Sequence, residues 1–188
     1  KFPITVTAHA YATEVKGENV TLRIDATMIR NDTGETLPSP FSRNSTYVFN
    51  KFTLENVKNS PDADKPREGH DPLYPPRLEA GEEITNAWLD NLNITATLQY
   101  IGSVKEGGLT LYKYFVNETI TNKLLWLPPP IEEVGGFRNC TVTSTKTILI
   151  EPLSGLLVYT ENEVFSLNYT WVDWVWGKRI EKKVPSVY

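Results

Sequence analysis

The sequence is poor in the residues on which many enzyme and metal sites depend. Its 188 residues include one cysteine, one methionine and two histidines, His9 and His70. A single cysteine excludes an internal disulfide, on which small extracellular domains often rely. No Gly-X-Ser-X-Gly elbow and no phosphate-binding glycine loop occurs. We therefore expect a protein that is not an enzyme and that uses neither a metal nor another cofactor.

Long apolar runs and a strong excess of one charge are also missing. No run approaches the roughly 18 residues of a helical membrane span, and we take Lys1 to be a mature or trimmed end. The net charge of −4 gives no sign of the basic surface that binds nucleic acid, so no nucleic-acid partner is expected. Scarce Cys, Met and Gln beside plentiful Glu and Lys are typical of a thermophile. The 14 Asn argue against one, unless many are covalently protected.

Residues that favour β-strands are abundant, and their order predicts antiparallel sheets. The chain has 21 Thr, 9 Tyr, 7 Phe and 5 Trp, interrupted at short intervals by Pro and Gly. Apolar and polar residues alternate over 2–15 and more cleanly over 20–28, as in half-buried strands. Gly107-Gly108 and Ser154-Gly155 fit hairpin turns. Further strands are predicted at 45–54, 94–101, 109–121, 141–150, 156–165 and 167–176.

The remaining segments predict long loops and at most one short helix. The polar, Pro-rich stretch 59–76 is expected to be a long ordered loop, and 82–92 is the one plausible helix. We predict an all-β fold of antiparallel sheets, either a sandwich or a strongly curved sheet. Residues 1–16 form an N-terminal strand and 17–188 a β-rich glycosylated body. A candidate sub-boundary lies near 127–136, where three consecutive prolines force an extended kink.

The clearest functional signal is a set of seven N-glycosylation sequons. Asn-X-Ser/Thr is the acceptor because the hydroxyl at the third position helps present the Asn amide to the transferase. Simple frequency counting predicts about two such triplets by chance, whereas all seven here carry Thr. Glycans are bulky, so a used sequon must lie at the surface. The predicted glycosylation sites are Asn19, Asn31, Asn44, Asn93, Asn117, Asn139 and Asn168.

Four stretches resemble the PorA-like family of extracytoplasmic envelope proteins of actinobacteria and archaea. They are YVFNKFT at 47–53, DPLYPP at 71–76, residues 95–115 and IEPLSGLLV at 150–158. The resemblance implies an extracytoplasmic location and an extended β fold, and it brings no catalytic residues. Members of that family carry membrane-anchoring segments at their ends. None is evident in these residues, so simple anchorage is not expected, and membrane contact stays open.

Three other features each have two interpretations. Carboxylates cluster in the 59–76 loop and have the hard oxygens that calcium prefers, but the spacing is not that of an EF-hand, so a solvated acidic loop is preferred. Cys140 lies within a sequon and is expected to be a shielded thiol. The run Trp171–Trp176 before the basic residues 177–183 fits either a strand or a membrane or sugar platform, and we prefer the strand. The four carboxylates are those of Asp62, Asp64, Glu68 and Asp71.

The alternating N-terminal segment also has two interpretations. It either pairs within its own sheet or fills an incomplete sheet of the next subunit, the donor-strand mode of extracellular filaments. In the second case main-chain hydrogen bonds supply affinity and apolar side chains fill the acceptor groove. Dense sequons and all-β composition resemble, in outline, archaeal thread and pilus subunits joined in this way. The candidate assembly residues are Phe2, Ile4, Val6, Ala8 and Ala10.

Together these observations predict an extracellular, N-glycosylated structural protein of a cell surface, archaeal in type. Its expected partner is a further copy of itself, in a filament or coat joined by the N-terminal strand. Covalent N-glycans are expected in place of a cofactor. The alternative is an envelope-associated module that binds lipid or another hydrophobic ligand in a curved sheet. A carbohydrate-binding module that uses the Trp-rich run is a third interpretation, and a hydrolase is the least favoured.

Overall fold

The computed structural model describes residues 4–37, 43–127, 136–175 and 178–187. Within these ranges the chain forms nine β-strands and no helix, so the all-β prediction is confirmed. It follows that these ranges contain no helix long and apolar enough to cross a membrane. The strands are β1 (Ile4–Lys16), β2 (Asn19–Arg30), β3 (Arg43–Asn50), β4 (Ile84–Leu89), β5 (Ile94–Glu106), β6 (Leu109–Leu127), β7 (Gly136–Glu151), β8 (Leu156–Val175) and β9 (Lys178–Val187).

The strands form two antiparallel sheets in two compact units, Lys1–Pro75 and Pro76–Tyr188. The first sheet has the order β1-β2-β3 and the second β4-β5-β6-β7-β8-β9, so each strand pairs with its neighbours in sequence. This order needs only short connections. At Gly107-Gly108 the predicted hairpin is present, with φ 56° and 83° at the two glycines. These left-handed values are the ones a two-residue type I′ turn requires.

The division of the chain differs from the boundaries predicted at 16/17 and near 127–136. The first position lies in the hairpin between β1 and β2, where Lys16 pairs with Asn19 across a two-residue turn. The segment 128–135 itself lies outside the described residues, but β6 and β7 on either side of it pair with each other. It therefore joins neighbouring strands of one sheet. The two compact units are divided between Pro75 and Pro76, in the segment between β3 and β4.

The helix predicted for 82–92 is wrong, because the segment contains β4. Its apolar residues are spaced as on a helix because of a β-bulge. The three-residue step from Ile84 to Ala87 lies opposite a two-residue step on β5. Asn86 lies in this bulge at φ 62°, a left-handed conformation that Asn adopts more readily than most residues. One inserted residue thus gives a strand the apolar spacing of a helix.

The C-terminal strands also differ from the prediction. β8 covers both segments predicted at 156–165 and 167–176 in one strand of 20 residues. β9 was not predicted, since five charged residues in ten leave no two-residue apolar alternation to recognise. It pairs with β8 at the edge of the six-stranded sheet. Pro185 is tolerated there because an edge strand need not donate from every backbone N–H.

The second unit has an apolar interior. Polar contacts join the turn after β4 to strands far away in sequence. Asn91 Nδ2 donates to Ser144 Oγ at 2.7 Å, and Lys123 Nζ donates to the carbonyl of Leu92. The turn between β4 and β5 thereby lies against β6 and β7, and burial in this unit removes apolar side chains from water. Those that are buried include Ile84, Trp88, Leu89, Leu92, Leu98, Val116, Val142 and Ile148.

The first unit has a smaller and more polar interior. Tyr47, Val48 and Phe49 of β3 are buried, and the irregular segment 51–75 supplies the residues that cover them. Arg67, 3% exposed, places its guanidinium carbon 4.0 Å from the centroid of the Tyr47 ring. Such stacking suits the planar, weakly hydrated guanidinium. A loop, rather than a second sheet, therefore closes this core.

Hydrogen bonds from buried side chains hold the 51–75 segment in its fold. Arg67 Nη1 donates to Asp64 Oδ1 at 2.6 Å and to the carbonyl of Thr46 at 3.3 Å. Asn56 Nδ2 donates to the carbonyls of Gly69 at 3.0 Å and Asp71 at 2.9 Å. A buried carbonyl without a donor is costly. The Asn56 side chain supplies a donor to Asp71, and the carbonyls of Gly69 and Thr46 also accept from the backbone N–H groups of Asn56 and Asp64.

Candidate glycosylated surface and assembly strand

The sequon asparagines lie at the surface. Six of the seven are exposed and Asn19 is half-buried, whereas the one buried asparagine that the structure describes, Asn56, is not in a sequon. The exposed state of Asn168 does not follow from the sequence alone, because both faces of its segment carry aromatic residues. It is explained by Leu167 and Tyr169, which are both buried and so leave Asn168 on the opposite face. The six exposed residues are Asn31, Asn44, Asn93, Asn117, Asn139 and Asn168.

Three sequons share one face of the six-stranded sheet. Asn117 on β6 pairs with Thr145 on β7, and Thr141 on β7 pairs with Asn168 on β8. Directly opposed residues lie on the same side of a sheet, and residues two apart on one strand do as well. Asn139, two residues before Thr141, therefore lies on this side too. We call the side that carries Asn117, Asn139 and Asn168 the sequon face.

The hydroxyl groups of the sequon face form pairs across the strands. Thr145 Oγ1 donates to Asn117 Oδ1 at 2.9 Å, and the hydroxyl oxygens of Thr119 and Thr143 are 2.9 Å apart. The Thr145 bond fixes the Asn117 amide through its oxygen, and no other hydrogen bond of this side chain is found among the described residues. Nδ2, the atom that would carry a sugar, is thus left accessible.

The first unit holds its sequon at Asn44 in a polar row across the sheet. Asn44 pairs with Asp25 in the strand register; its amide donates to Asp25 Oδ1 at 3.2 Å and accepts from Arg23 Nη2 at 2.9 Å. Arg23 Nε donates to Asp25 Oδ1 at 2.8 Å, and Tyr11 Oη donates to Asp25 Oδ2 at 2.9 Å. The Arg23 hydrogen bond holds the pKa of Asp25 below its ordinary value.

The candidate assembly strand pairs within its own chain. β1 forms an antiparallel hairpin with β2, in continuous register from Ile4 opposite Arg30 to Ala12 opposite Leu22. Of the candidate assembly residues, Ala8 and Ala10 are exposed. Phe2 lies outside the described residues, as do the side chains of Ile4 and Val6. The hairpin is the ordinary in-chain pairing, and it leaves exchange between copies untested.

β1 is nevertheless an unusual edge strand. It is 13 residues long, lies at the edge of its sheet, and every side chain described on it, from Thr7 to Lys16, is exposed. Tyr11 and Val15 are among the large apolar side chains in contact with solvent, at 44% and 62% exposed. Long exposed edges invite pairing with other chains, and soluble proteins usually shorten or cover them. This strand is therefore well placed to meet another chain.

The four loop carboxylates do not converge on a common point. Instead, three of them lie beside cations: Asp64 by Arg67, Glu68 by Lys58 at 2.6 Å, and Asp62 3.9 Å from Lys16. The described part of the chain has no group of three or more His, Cys, Asp or Glu side chains placed to hold a metal. The solvated acidic loop remains our interpretation of this segment.

Cys140 and the Trp-rich run are placed as follows. Cys140 is 1% exposed and pairs with Lys123 across β6 and β7, so the expectation of a shielded thiol is met. The run 171–176 belongs to β8 as far as Val175, which agrees with the strand interpretation. Its side chains lie outside the described residues.

Sequence reasoning missed the polar interior of the first unit. His70 is 7% exposed, and its Nδ1 lies 3.3 Å from the carbonyl of Leu54, while Nε2 is 3.9 Å from Glu55 Oε1. Burial lowers the pKa of His70, and Glu55 opposes that shift. The residues come from a polar, Pro-rich loop whose composition predicts solvent exposure. The signal available in the sequence was that two oppositely charged residues, Asp64 and Arg67, lie three residues apart. This spacing is common in loops, so it does not single out a buried ion pair.

Sequence comparisons give no relative from which to transfer a function. No protein-family model matches the chain, and no curated protein matches it significantly. The resemblance to PorA-like envelope proteins therefore stays a prediction.

Proposed function

We propose that this chain is an N-glycosylated structural protein of an extracellular surface, which self-associates into a filament or coat through β1. The observation that carries the proposal is the placement of the sequons. None of the seven acceptor asparagines is buried, and each sequon carries Thr at its third position. Glycosylation by an oligosaccharyltransferase takes place outside the cytosol, so used sequons support an extracellular location.

The exposed first strand supports the self-association. An isolated β-hairpin is marginally stable in water, and β1 and β2 form a ribbon to which β3 adds only along 19–26. Pairing at the β1 edge, or exchange of β1 between copies, would supply main-chain hydrogen bonds and cover exposed side chains. Either route joins one copy to the next without an additional domain.

The glycosylation is tested by peptide mapping of native material after glycan release. We expect modification at most of the seven sequons and none at Asn162, which is exposed but not followed by Ser or Thr at the third position. A matched pair of variants at one site sharpens the test: Thr95→Ala should abolish modification of Asn93, and Thr95→Ser should retain it. Unmodified asparagine at most of the sequons would overturn the proposal.

The self-association is tested by negative-stain electron microscopy and light scattering of native protein, beside a variant that lacks residues 1–15. We expect regular filaments or sheets from the full chain and dispersed particles from the shortened one. Hydrogen exchange should show that β5–β7 stay protected in the shortened chain. Monomers of the full chain at all concentrations would contradict the proposal, and bound lipid in them would favour the hydrophobic-ligand alternative.

Strand exchange is distinguished from pairing at the edge by a designed disulfide. Ala8 and Ala26 lie directly opposite each other in the β1–β2 register, and opposed Cα atoms in antiparallel pairs are about 4.5–5.5 Å apart, within disulfide range. In assembled Ala8→Cys, Ala26→Cys protein, exchange predicts disulfide-linked multimers on non-reducing gels. A disulfide within each monomer would exclude exchange and retain edge pairing. Each single variant is the control, since Cys140 is buried.

A further inference from the structure

The sequon face carries an apolar side chain that the fold leaves uncovered beside a glycan acceptor. Leu124 on β6 is 61% exposed and lies directly opposite Asn139 on β7. Side chains paired in this way have Cβ atoms about 4.5–5.5 Å apart. More than half of the leucine is thus left in water within reach of the first sugar on its neighbour.

A second site on the same face repeats this arrangement. Phe115 is half-exposed and lies two residues before Asn117 on β6, so both side chains are on the sequon face. Val164, 42% exposed, pairs with Thr145, which in turn pairs with Asn117. Phe115 is thus a neighbour of this acceptor on its own strand, and Val164 lies one strand further away, beyond Thr145.

We propose that the N-glycan on Asn139 packs over Leu124 and serves as the missing cover of the sequon face. The occupant is the covalently attached sugar, because its point of attachment is the residue paired with the exposed leucine. The faces of sugar rings present C–H groups, which remove apolar surface from water as another side chain would. The proposal rests on glycosylation of Asn139 and assigns that glycan a structural role as well as a protective one.

The test is a double-mutant cycle on the glycosylated protein. Thr141→Ala and Asn139→Gln each remove the sequon, Thr141→Ser retains it, and Leu124→Ser removes the apolar partner. Mass spectrometry first establishes occupancy of Asn139 in the parent and in the Thr141→Ser and Leu124→Ser proteins. Thermal unfolding is then followed for every variant.

We expect loss of the glycan to lower Tm by about 2–4 °C, the shift that roughly 1 kcal/mol produces in a chain of this length. In the Leu124→Ser background the same loss should have little effect, because the partner is gone. Equal Tm shifts in the parent and in the Leu124→Ser background would overturn the packing of the glycan on Leu124, while leaving the proposed function intact. An unoccupied Asn139 would overturn it together with glycosylation at this site. Two independent ways of removing the sequon guard against a variant that fails to fold.

Discussion

The two units of this chain achieve burial by different means. Of the eight buried side chains described in the first unit, four are polar or charged, whereas two of twenty are in the second. The second unit encloses apolar strands, and its stability should depend on shape and volume. The first unit closes its core with a loop, and its stability should depend on whether each buried polar group keeps its partner.

The largest expected effect is the loss of an apolar side chain from the second unit. Leu98 on β5 is fully buried, so Leu98→Ala should lower the free energy of unfolding by about 2–5 kcal/mol. All five Trp lie at or beyond position 88, so urea unfolding followed by Trp fluorescence reports this unit. Leu153→Ala, the same change at a residue that is 72% exposed, should cost less than about 0.5 kcal/mol. Equal costs would contradict the burial described for β5.

The next effect is the loss of a buried cation in the first unit. Breaking a buried ion pair costs about 3–5 kcal/mol when both partners are enclosed, but the Asp64 side chain is 32% exposed. We therefore expect about 2–4 kcal/mol for Arg67→Met. Hydrogen exchange of peptides within 45–75 measures this loss of stability. Trp fluorescence reports the second unit and should show an unchanged unfolding transition if the units unfold independently.

A matched control separates burial from distance. Lys58 and Glu68 are also 2.6 Å apart, but their side chains are 66% and 43% exposed. Lys58→Met should thus cost no more than about 1 kcal/mol. Similar losses for Lys58→Met and Arg67→Met would show that the loop does not enclose Arg67, and the contrast between the two units would then fail.

A smaller effect is a pH dependence confined to the first unit. Burial lowers the pKa of His70, so the unfolded chain binds the proton more readily. Stability should be complete above the unfolded value of about 6.5 and fall as the pH decreases through the lower folded pKa. The groups that face the ring are Glu55, which opposes the shift, and Tyr74, whose own pKa burial raises.

Hydrogen exchange of 45–75 between pH 7 and pH 5 measures this dependence. His70→Gln should flatten the profile, and His9→Gln, a change at an exposed position of β1, should leave it as it is. A slope that persists in His70→Gln would assign the dependence to another group.

The strands could be predicted from the sequence wherever one face is buried and the other is exposed to solvent. β5 is the clearest case: its alternation gives a predicted strand at 94–101 where the structure has Ile94–Glu106, with Ala96 and Leu98 buried. The pattern fails where register is interrupted, as at Asn86, since one bulge residue converts a two-residue period into the spacing of a helix. It also fails in β9, whose position at the edge allows charge throughout.

The sequons could be predicted because they are read locally, from three consecutive residues. Their arrangement could not, because the sequon face depends on which strands become neighbours. Asn117 and Asn168 are far apart in sequence and are brought to one side of the sheet by β7. The burial of Arg67 and His70 could not be predicted for the same reason. Whether a polar loop residue is buried depends on distant partners such as Tyr47, and the composition of the loop does not identify them.

The smallest expected effect is an acid dependence of stability at the surface of the first sheet. It tests whether the exposed polar contacts there contribute to stability as the buried ones do. The Arg23 hydrogen bond lowers the pKa of Asp25, so its contribution should be present above the unfolded value of about 3.8 and be lost as the pH falls below it. Asp25→Asn should remove this acid dependence from the hydrogen exchange of β1 and β2, and Tyr11→Phe should reduce it. In dispersed monomers these groups lie at the surface, so salt at about 1 M should screen their effect, while the His70 dependence persists. In protein assembled through β1 the same surface is covered, and the Asp25 effect should there resist salt; a salt-sensitive effect in the assembled protein would contradict assembly through this strand.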